Sequence, residues 1–281
     1  DELYRLLYGG YANPDEFGKR PLSKFIKDIY QNTKEAVKHV SFAVPEGKIV
    51  AIVGESGSGK STLIRAAIGL LPAGGELASG QILFGEKDMA AMTAEELRHV
   101  RGEGMAMIFQ NAGDYLNPRR KVCDQYVETL RCHQSMTKKQ GYEIAKKMLA
   151  TLKLPDTKHV MNAYPFQLSG GMKQRVAIAM AMSMHPKLLL ADEPTSALDV
   201  TVQAQVVKQM MDLRDKMGTA IVIVTHNMGV ASKMADYIAV MQNGELKEFG
   251  TREQVIYHPE NDYTKKLLTV VPKLQGETDG E

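Results

Sequence analysis

The sequence predicts an α/β fold with a mainly parallel sheet and an inserted α-helical subdomain. Short, continuous apolar runs, which are typical of strands buried on both faces, alternate with amphipathic stretches at helical spacing. One stretch, about Lys121–Lys153, carries only helical patterns and interrupts that alternation. With 281 residues and 44% hydrophobic composition, the chain is long enough to bury a sizeable core.

The predicted elements can be placed along the chain. Four apolar runs are the predicted parallel strands: Ile49–Val53, Met105–Phe109, Leu188–Ala191 and Ile221–Val224. Ser61–Leu71 is a predicted helix, and Thr93 with Glu96 forms a capping box that begins another. Apolar residues recur at steps of three and four over 202–217, and Gly218 suits the end of that helix.

Composition and charge exclude several functional classes. Lys+Arg 35 against Asp+Glu 33 leaves a net charge of +2, which is too balanced for a nucleic-acid binder, so we expect no nucleic-acid partner. Every apolar run is far shorter than the ~20 residues of a membrane-spanning helix, and no charged, apolar leader opens the sequence. Cys123 and Cys132 match neither a disulfide framework nor a zinc pattern. We therefore expect a soluble, reduced protein.

A glycine-rich segment lies between the first predicted strand and a predicted helix. It consists of Gly54, Glu55, Ser56, Gly57, Ser58, Gly59, Lys60 and Ser61, and it fits the phosphate-loop pattern G-x-x-x-x-G-K-[ST]. Such glycines let successive backbone N–H groups turn towards an anion, and the following helix adds a partial positive charge. Lys60 is expected to reach the β- and γ-phosphates and Ser61 to offer a hydroxyl to Mg²⁺, with Thr62 beside them. The segment predicts a nucleotide phosphate site.

Two carboxylates follow the third predicted strand. A carboxylate at the carboxyl end of a strand beside a phosphate loop can hold Mg²⁺, and this suits Asp192. The adjacent Glu193 can orient an attacking water. Alone, the same pair also suits a helix cap or a solvated turn. The phosphate loop favours the first interpretation.

A second glycine-rich segment, at the start of a predicted helix, points to a particular protein family. Ser169 can cap the helix, and Gly170 and Gly171 leave its N–H groups bare for an anion, although an ordinary helix start has the same pattern. The ATP-binding cassette (ABC) ATPases have, in this order, a phosphate loop, a glutamine after a strand, a Leu-Ser-Gly-Gly signature, Asp-Glu, a Ser-Ala-Leu-Asp loop and a switch histidine. The sequence resembles that pattern at Gly54–Ser61, Gln110, Leu168–Gln174, Asp192-Glu193, Ser196–Asp199 and His226, within roughly Val40 to Tyr263.

The resemblance implies a P-loop NTPase fold with a RecA-like core and a site shared by two cassettes. Each ATP would lie between one chain's phosphate loop and the other's signature. Residues expected to touch the partner's ATP are Leu168, Ser169, Gly170, Gly171 and Gln174, and those expected at the dimer contact (the D-loop) are Ser196, Ala197, Leu198 and Asp199. The implied domains are a core of 1–111 and 169–250, a signature subdomain of 112–168 and an extension of 251–281, with no readable pattern in 1–29.

The resemblance also implies roles around the γ-phosphate. Glu193 would be the general base, Gln110 would reach Mg²⁺ and the attacking water, and His226 would contact the γ-phosphate. Alone, His226 also suits an ordinary histidine at a strand end. Tyr30 is the candidate for stacking on adenine, with a solvated loop tyrosine as the alternative.

Several details resemble the ATPases of oligopeptide, dipeptide and nickel importers. They are Leu116–Pro118, Tyr164–Gln167, Leu198–Ala204, His258-Pro259 and Tyr263-Thr264. This resemblance implies a second ATPase subunit, two transmembrane permease subunits and, indirectly, an extracytoplasmic solute-binding protein, with the chain at the cytoplasmic face of the cell membrane. The alternative is a cassette of a soluble assembly such as the carbon–phosphorus lyase complex. Asn111-Ala112 departs from the usual Asp-Pro, and no cysteine-rich tail supports an iron–sulfur site.

Overall fold

A six-stranded mixed sheet is the centre of the computed structural model, which describes residues 35–196 and 198–269. The strands in chain order are β1 (Ile49–Val53), β2 (Leu83–Phe84), β3 (Lys87–Asp88), β4 (Met105–Ile108), β5 (Leu188–Asp192), β6 (Ala220–Thr225), β7 (Tyr237–Gln242) and β8 (Glu245–Thr251). The sheet order is β4-β5-β6-β1-β7-β8, with only β8 antiparallel to its neighbour, while β2 and β3 form a separate antiparallel pair. The predicted fold class is confirmed.

Helices connect the parallel strands. They are α1 (Lys60–Ala67), α2 (Ala94–His99), α3 (Val122–His133), α4 (Lys138–Thr151), α5 (Thr157–Asn162), α6 (Gly170–Met182), α7 (Val200–Met217), α8 (Met228–Met234), α9 (Arg252–Tyr257) and α10 (Asp262–Thr269). The Thr93–Glu96 capping box begins α2 as predicted, and Gly218 ends α7 in a left-handed conformation at φ 70°. The first predicted helix ends earlier than expected, because the chain turns at Gly69, where φ is +69°.

The core lies on both faces of the sheet, because alternate side chains of each strand point to opposite sides. On one face Ile49, Ala51 and Val53 join a cluster that includes residues of α3–α8, and on the other Val50 and Ile52 pack with residues of α1. All five are essentially inaccessible to solvent. This burial explains why the strand that leads into the phosphate loop is a continuous apolar run.

Residues 112–168 contain α3, α4 and α5 and no strand. Tyr126 and Leu130 of α3 are buried in the same cluster as one face of the sheet, so these helices are packed onto the core. The Tyr126 hydroxyl lies 2.6 Å from Ser183 Oγ, and burial raises the pKa of this phenol well above its ordinary value. The boundaries 1–111, 169–250, 112–168 and 251–281 stay predictions.

Replacing Tyr126 with phenylalanine tests that attachment. Both hydroxyls of the pair are buried, so the change leaves the Ser183 hydroxyl without its partner. We expect the free energy of unfolding to fall by about 1–3 kcal/mol, measured by urea denaturation. Tyr257→Phe, at an exposed position at the end of α9, is the matched control. Equal stability of the two variants would contradict a stabilising role for the Tyr126–Ser183 hydrogen bond.

Candidate active site

The phosphate loop connects β1 to α1 in a conformation that requires glycine. Gly54, Gly57 and Gly59 have φ of +152°, +82° and +93°. A Cβ on Gly54 would lie 2.1 Å from the Met241 carbonyl oxygen, and one on Gly59 would lie 2.4 Å from the Ala36 carbonyl oxygen. Neither position has room for a side chain, because neighbouring backbone presses against the outside of the loop.

Lys60 begins α1 and turns its ammonium group back into the loop. Its Nζ donates to the carbonyl oxygens of Gly54 at 2.9 Å and Glu55 at 2.6 Å, and it lies 3.3 Å from Ser58 Oγ. Desolvation lowers the pKa of Lys60, and the nearby carboxylates of Glu193 and Asp192 oppose this shift. The result is a buried cation at the base of the loop, held where an incoming phosphate can replace the carbonyl oxygens.

Asp192 lies at the carboxyl end of β5 and meets α1. Its Oδ1 accepts a 2.7 Å hydrogen bond from Ser61 Oγ, and the Arg65 guanidinium lies 3.6 Å from Oδ2. Asp192 is 1% exposed, and Oδ2 has no hydrogen-bond partner among the described residues. A serine hydroxyl beside a buried carboxylate whose Oδ2 accepts no hydrogen bond from the described residues is an oxygen donor set of the kind Mg²⁺ prefers. The residues therefore fit the ion predicted here.

Glu193 follows Asp192 with a left-handed backbone, at φ +43°. Its N–H donates to the Val224 carbonyl oxygen at 3.0 Å, which ties this turn to β6. Glu193 Oε2 accepts from Gln110 Nε2 at 3.4 Å, and Oε1 lies 3.2 Å from His226 Nδ1. The structure thus brings Glu193, Gln110 and His226 together, at the ends of three neighbouring parallel strands.

The signature residues divide into an exposed and a buried set. Ser169 caps α6, accepting from Met172 N–H at 3.3 Å, and is exposed, and a Cβ on Gly170 would meet nothing within 4 Å. Leu168 is buried, and Gln174 is 6% exposed and donates to the Pro194 carbonyl oxygen at 2.7 Å. Gln174 therefore fastens α6 to the turn after Asp192-Glu193 within the same chain.

Three of the predicted dimer-contact residues, Ser196, Leu198 and Asp199, lie directly before α7. Asp199 caps this helix, accepting from Val202 N–H at 2.9 Å, and Ser196 Oγ donates to the Glu193 carbonyl oxygen at 3.2 Å. Leu198 is partly buried. Ala197 and Tyr30 lie outside the described residues, so their predicted roles stay predictions.

Two contacts around this site were missed by the sequence reasoning. Arg65 approaches Asp192, and the Glu55 N–H donates to Tyr263 Oη at 3.2 Å. Arg65 lies one helical turn after Ser61, so its approach to a residue bound by Ser61 follows from helix geometry. Tyr263 is distant in the sequence, and no local pattern indicates its position.

A buried cation in a glycine loop, a serine–aspartate pair and a glutamate with two polar neighbours define a nucleotide-hydrolysing P-loop protein. The model of the ABC transporter family matches residues 37–196, and the chain belongs to this family. The membership confirms the predicted resemblance, and it makes the chain an ATPase that binds ATP.

Known relatives refine that assignment. The dipeptide transport ATP-binding protein DppD of Bacillus subtilis (strain 168) is 43% identical over 246 residues, which cover 87% of this chain and 73% of that protein. The oligopeptide transport ATP-binding protein OppD of Haemophilus influenzae is 42% identical over 257 residues, which cover 89% of this chain and 79% of that protein. The dimeric post-hydrolysis structure of the ATP-binding cassette MJ0796 with ADP and Pi has a TM-score of 0.68 and 28% identity, over 77% of this chain and 90% of that chain.

A helix that crosses a bilayer has to be long and predominantly apolar. Within residues 35–196 and 198–269, no helix has the length and apolar composition that crossing a bilayer requires.

Proposed function

We propose that this chain is the ATP-hydrolysing motor subunit of an importer for oligopeptides, dipeptides or a similar small solute such as nickel. The observation that carries the catalytic part is the contact of Glu193 with both Gln110 and His226, beside the Ser61–Asp192 pair. The transport part rests on the relatives, whose names describe dipeptide and oligopeptide transport.

Catalysis would depend on an ordered set of contacts. Ser61 and Asp192 would hold Mg²⁺, which neutralises charge on the β- and γ-phosphates when it is bound. Glu193 would take a proton from the attacking water, since its carboxylate is fixed on both oxygens by polar neighbours. His226, 62% exposed in its side chain, would exchange its contact with Glu193 for one with the γ-phosphate, and Gln110 would reach Mg²⁺ and the attacking water.

The exposed part of the signature would complete the site of a second cassette. Ser169 and the bare N–H groups of Gly170 and Gly171 begin α6, and such a helix start favours an anion. Asp199 and Ser196 lie on the turn that follows Glu193, so a partner that contacts this turn would also act on the catalytic carboxylate. ATP binding would close the two cassettes, and hydrolysis with phosphate release would let them reopen. The partner would be a second copy or a related chain.

A groove beside Gln110 is the expected contact for permease subunits. It has a volume of about 470 Å³, and its lining includes Leu70, Met107, Phe109, Tyr115, Leu116 and Met180. Tyr115 is 69% exposed and packs against Phe109 with ring centroids 5.3 Å apart. Exposed aromatic and aliphatic side chains around a groove are typical of protein contacts. Through such contacts the chain would be held at the cytoplasmic face of the membrane.

The same segment is joined to the signature helix. Asp114 forms a 3.1 Å ion pair with Lys173 of α6, and a Cβ on Gly113 would lie 2.6 Å from the Lys173 Cβ. Movement at Gln110 would therefore be transmitted to both the groove and the start of α6. This linkage supports coupling of ATP turnover to permease motion.

Co-purification from gently solubilised membranes tests the importer proposal. We expect the chain to be recovered with hydrophobic permease subunits, a related ATPase and, through the permeases, an extracytoplasmic solute-binding protein, identified by mass spectrometry. Recovery only in the soluble fraction, with enzymes of an assembly such as the carbon–phosphorus lyase complex, would contradict it.

The variant Tyr115→Glu tests the groove. A carboxylate in an apolar contact has to be desolvated, so we expect recovery of permease subunits to fall about tenfold or more. Tyr257→Glu, which places the same charge at an exposed position on α9, should leave recovery at the wild-type level. Equal recovery with both variants would exclude the groove around Tyr115 as the docking surface.

A further inference from the structure

Tyr263, in the last described helix, contacts the outside of the phosphate loop. The backbone N–H of Glu55 donates to Tyr263 Oη at 3.2 Å, across 208 positions of the sequence. Tyr263 lies in α10 and packs with Leu267 against the core. A backbone N–H in the first arm of the loop, Gly54–Gly57, thus has its partner in the predicted extension.

The start of α10 is itself fixed to the sheet. The carboxylate of Glu248, in β8, accepts from the N–H groups of Glu260 at 2.9 Å and Asn261 at 3.2 Å. Asn261 Oδ1 in turn accepts from the N–H of Tyr263 at 2.9 Å. Two kinds of contact therefore hold the Tyr263 hydroxyl beside the loop. Hydrogen bonds fix the backbone at the start of α10, and the side chains of Tyr263 and Leu267 pack against the core.

The hydrogen bonds of the loop differ in whether nucleotide binding disturbs them. Lys60 holds the carbonyl oxygens of Gly54 and Glu55, and it has to exchange at least one of them for a phosphate oxygen. The N–H of Gly244 holds the Ser58 carbonyl oxygen from outside at 3.1 Å. The Tyr263 contact likewise approaches from outside, at the arm that Lys60 releases.

We propose that Tyr263 is a positioning residue for ATP binding, which holds the first arm of the phosphate loop in place while Lys60 exchanges its backbone partners for phosphate oxygens. Since the hydroxyl satisfies an N–H that faces outward, it restricts the loop without competing for the ligand. The role follows from the position of the hydroxyl, and it assigns to the C-terminal segment a direct effect on nucleotide affinity.

The variant Tyr263→Phe removes only the hydroxyl and keeps the packing of the ring. We expect the Kd and the KM for ATP to rise about 3-fold, with the ~10-fold of one whole hydrogen bond as the upper limit, because only the part of its energy that restrains the loop before ATP binds enters the Kd; kcat should change little. Hydrogen exchange should accelerate at the Glu55 amide. The measurements are titration calorimetry with ATP and amide exchange on the full chain, and steady-state kinetics in the assembled complex.

Two further variants make the result decisive. Tyr257→Phe, at an exposed position at the end of α9, should match wild type in Kd and exchange. Asn261→Ala, which loosens the start of α10, should move the Kd in the same direction as Tyr263→Phe. Unchanged Kd and unchanged exchange at 54–58 in Tyr263→Phe would overturn the proposal. A lower melting temperature without those changes would overturn it too, since Tyr263 would then serve only the packing of α10.

Discussion

Glu193→Gln is expected to lower kcat for ATP about 100- to 10,000-fold, the usual contribution of a general base. The substitution keeps the size of the side chain and its ability to accept from Gln110, but an amide cannot take a proton from water. ATP binding should persist, because the phosphates are expected to contact Lys60 and the loop. The Kd should be equal or lower, since one negative charge near the γ-phosphate is removed.

The measurement is single-turnover hydrolysis in the assembled complex, with ATP affinity measured in parallel. Glu143→Gln, at an exposed position on α4, makes the same chemical change away from the site and should keep wild-type turnover. Turnover near the wild-type rate in Glu193→Gln would remove Glu193 as the base. Loss of ATP binding would instead indicate that the carboxylate supports the loop.

The strands that carry the site could be predicted because burial on both faces requires continuous apolar sequence. Ile49–Val53 agrees residue for residue with β1, and Leu188–Ala191 lacks only Asp192 of β5. The resemblance implied that Asp192, Glu193 and His226 share one site, and the structure gives the physical reason, since parallel strands carry their carboxyl ends to one edge of a sheet. The phosphate-loop pattern predicted the positions of Lys60 and Ser61 separately, because it directly follows the apolar run of β1.

The edge of the sheet was missed for a physical reason. β7 and β8 form an antiparallel pair, and β8 has only two large apolar residues, Leu246 and Phe249, with none of its residues fully buried. It therefore has neither the continuous apolar run nor the helical period that identified the other elements. Contacts such as Tyr263 with Glu55 depend on how this edge folds back, and a local pattern holds no information about them.

Buried polar residues of the signature also depend on tertiary packing. The resemblance implied that Gln174 touches a partner's ATP, whereas in this chain its amide donates to the Pro194 carbonyl oxygen and is 6% exposed. A residue four positions after Gly170 lies one turn further along α6, away from the bare helix start. Gln174 and Leu168 are therefore best suited to holding the exposed Ser169 and Gly170 in place, and their contact with ATP stays a prediction.

Lys60→Met is expected to raise the Kd for ATP at least about 100-fold. Lys60 is the buried cation of the loop, and hydrogen bonds from a charged donor contribute ~1.5–3 kcal/mol each, so losing two phosphate contacts exceeds two orders of magnitude. Methionine keeps the length of the side chain without its charge. Lys146→Met, at an exposed position on α4, is the matched control and should bind ATP as wild type does.

The pH dependence of binding gives an independent check on the same group. Desolvation lowers the pKa of Lys60 in the free protein from 10.5, and phosphates bind its protonated form. Wild-type affinity should therefore fall as pH rises, beginning below pH 10.5, whereas Lys60→Met has no proton to lose and should lack this decline. Titration calorimetry over an alkaline series measures both. The same decline in both proteins would assign the titration to another group and remove Lys60 as the phosphate-binding cation.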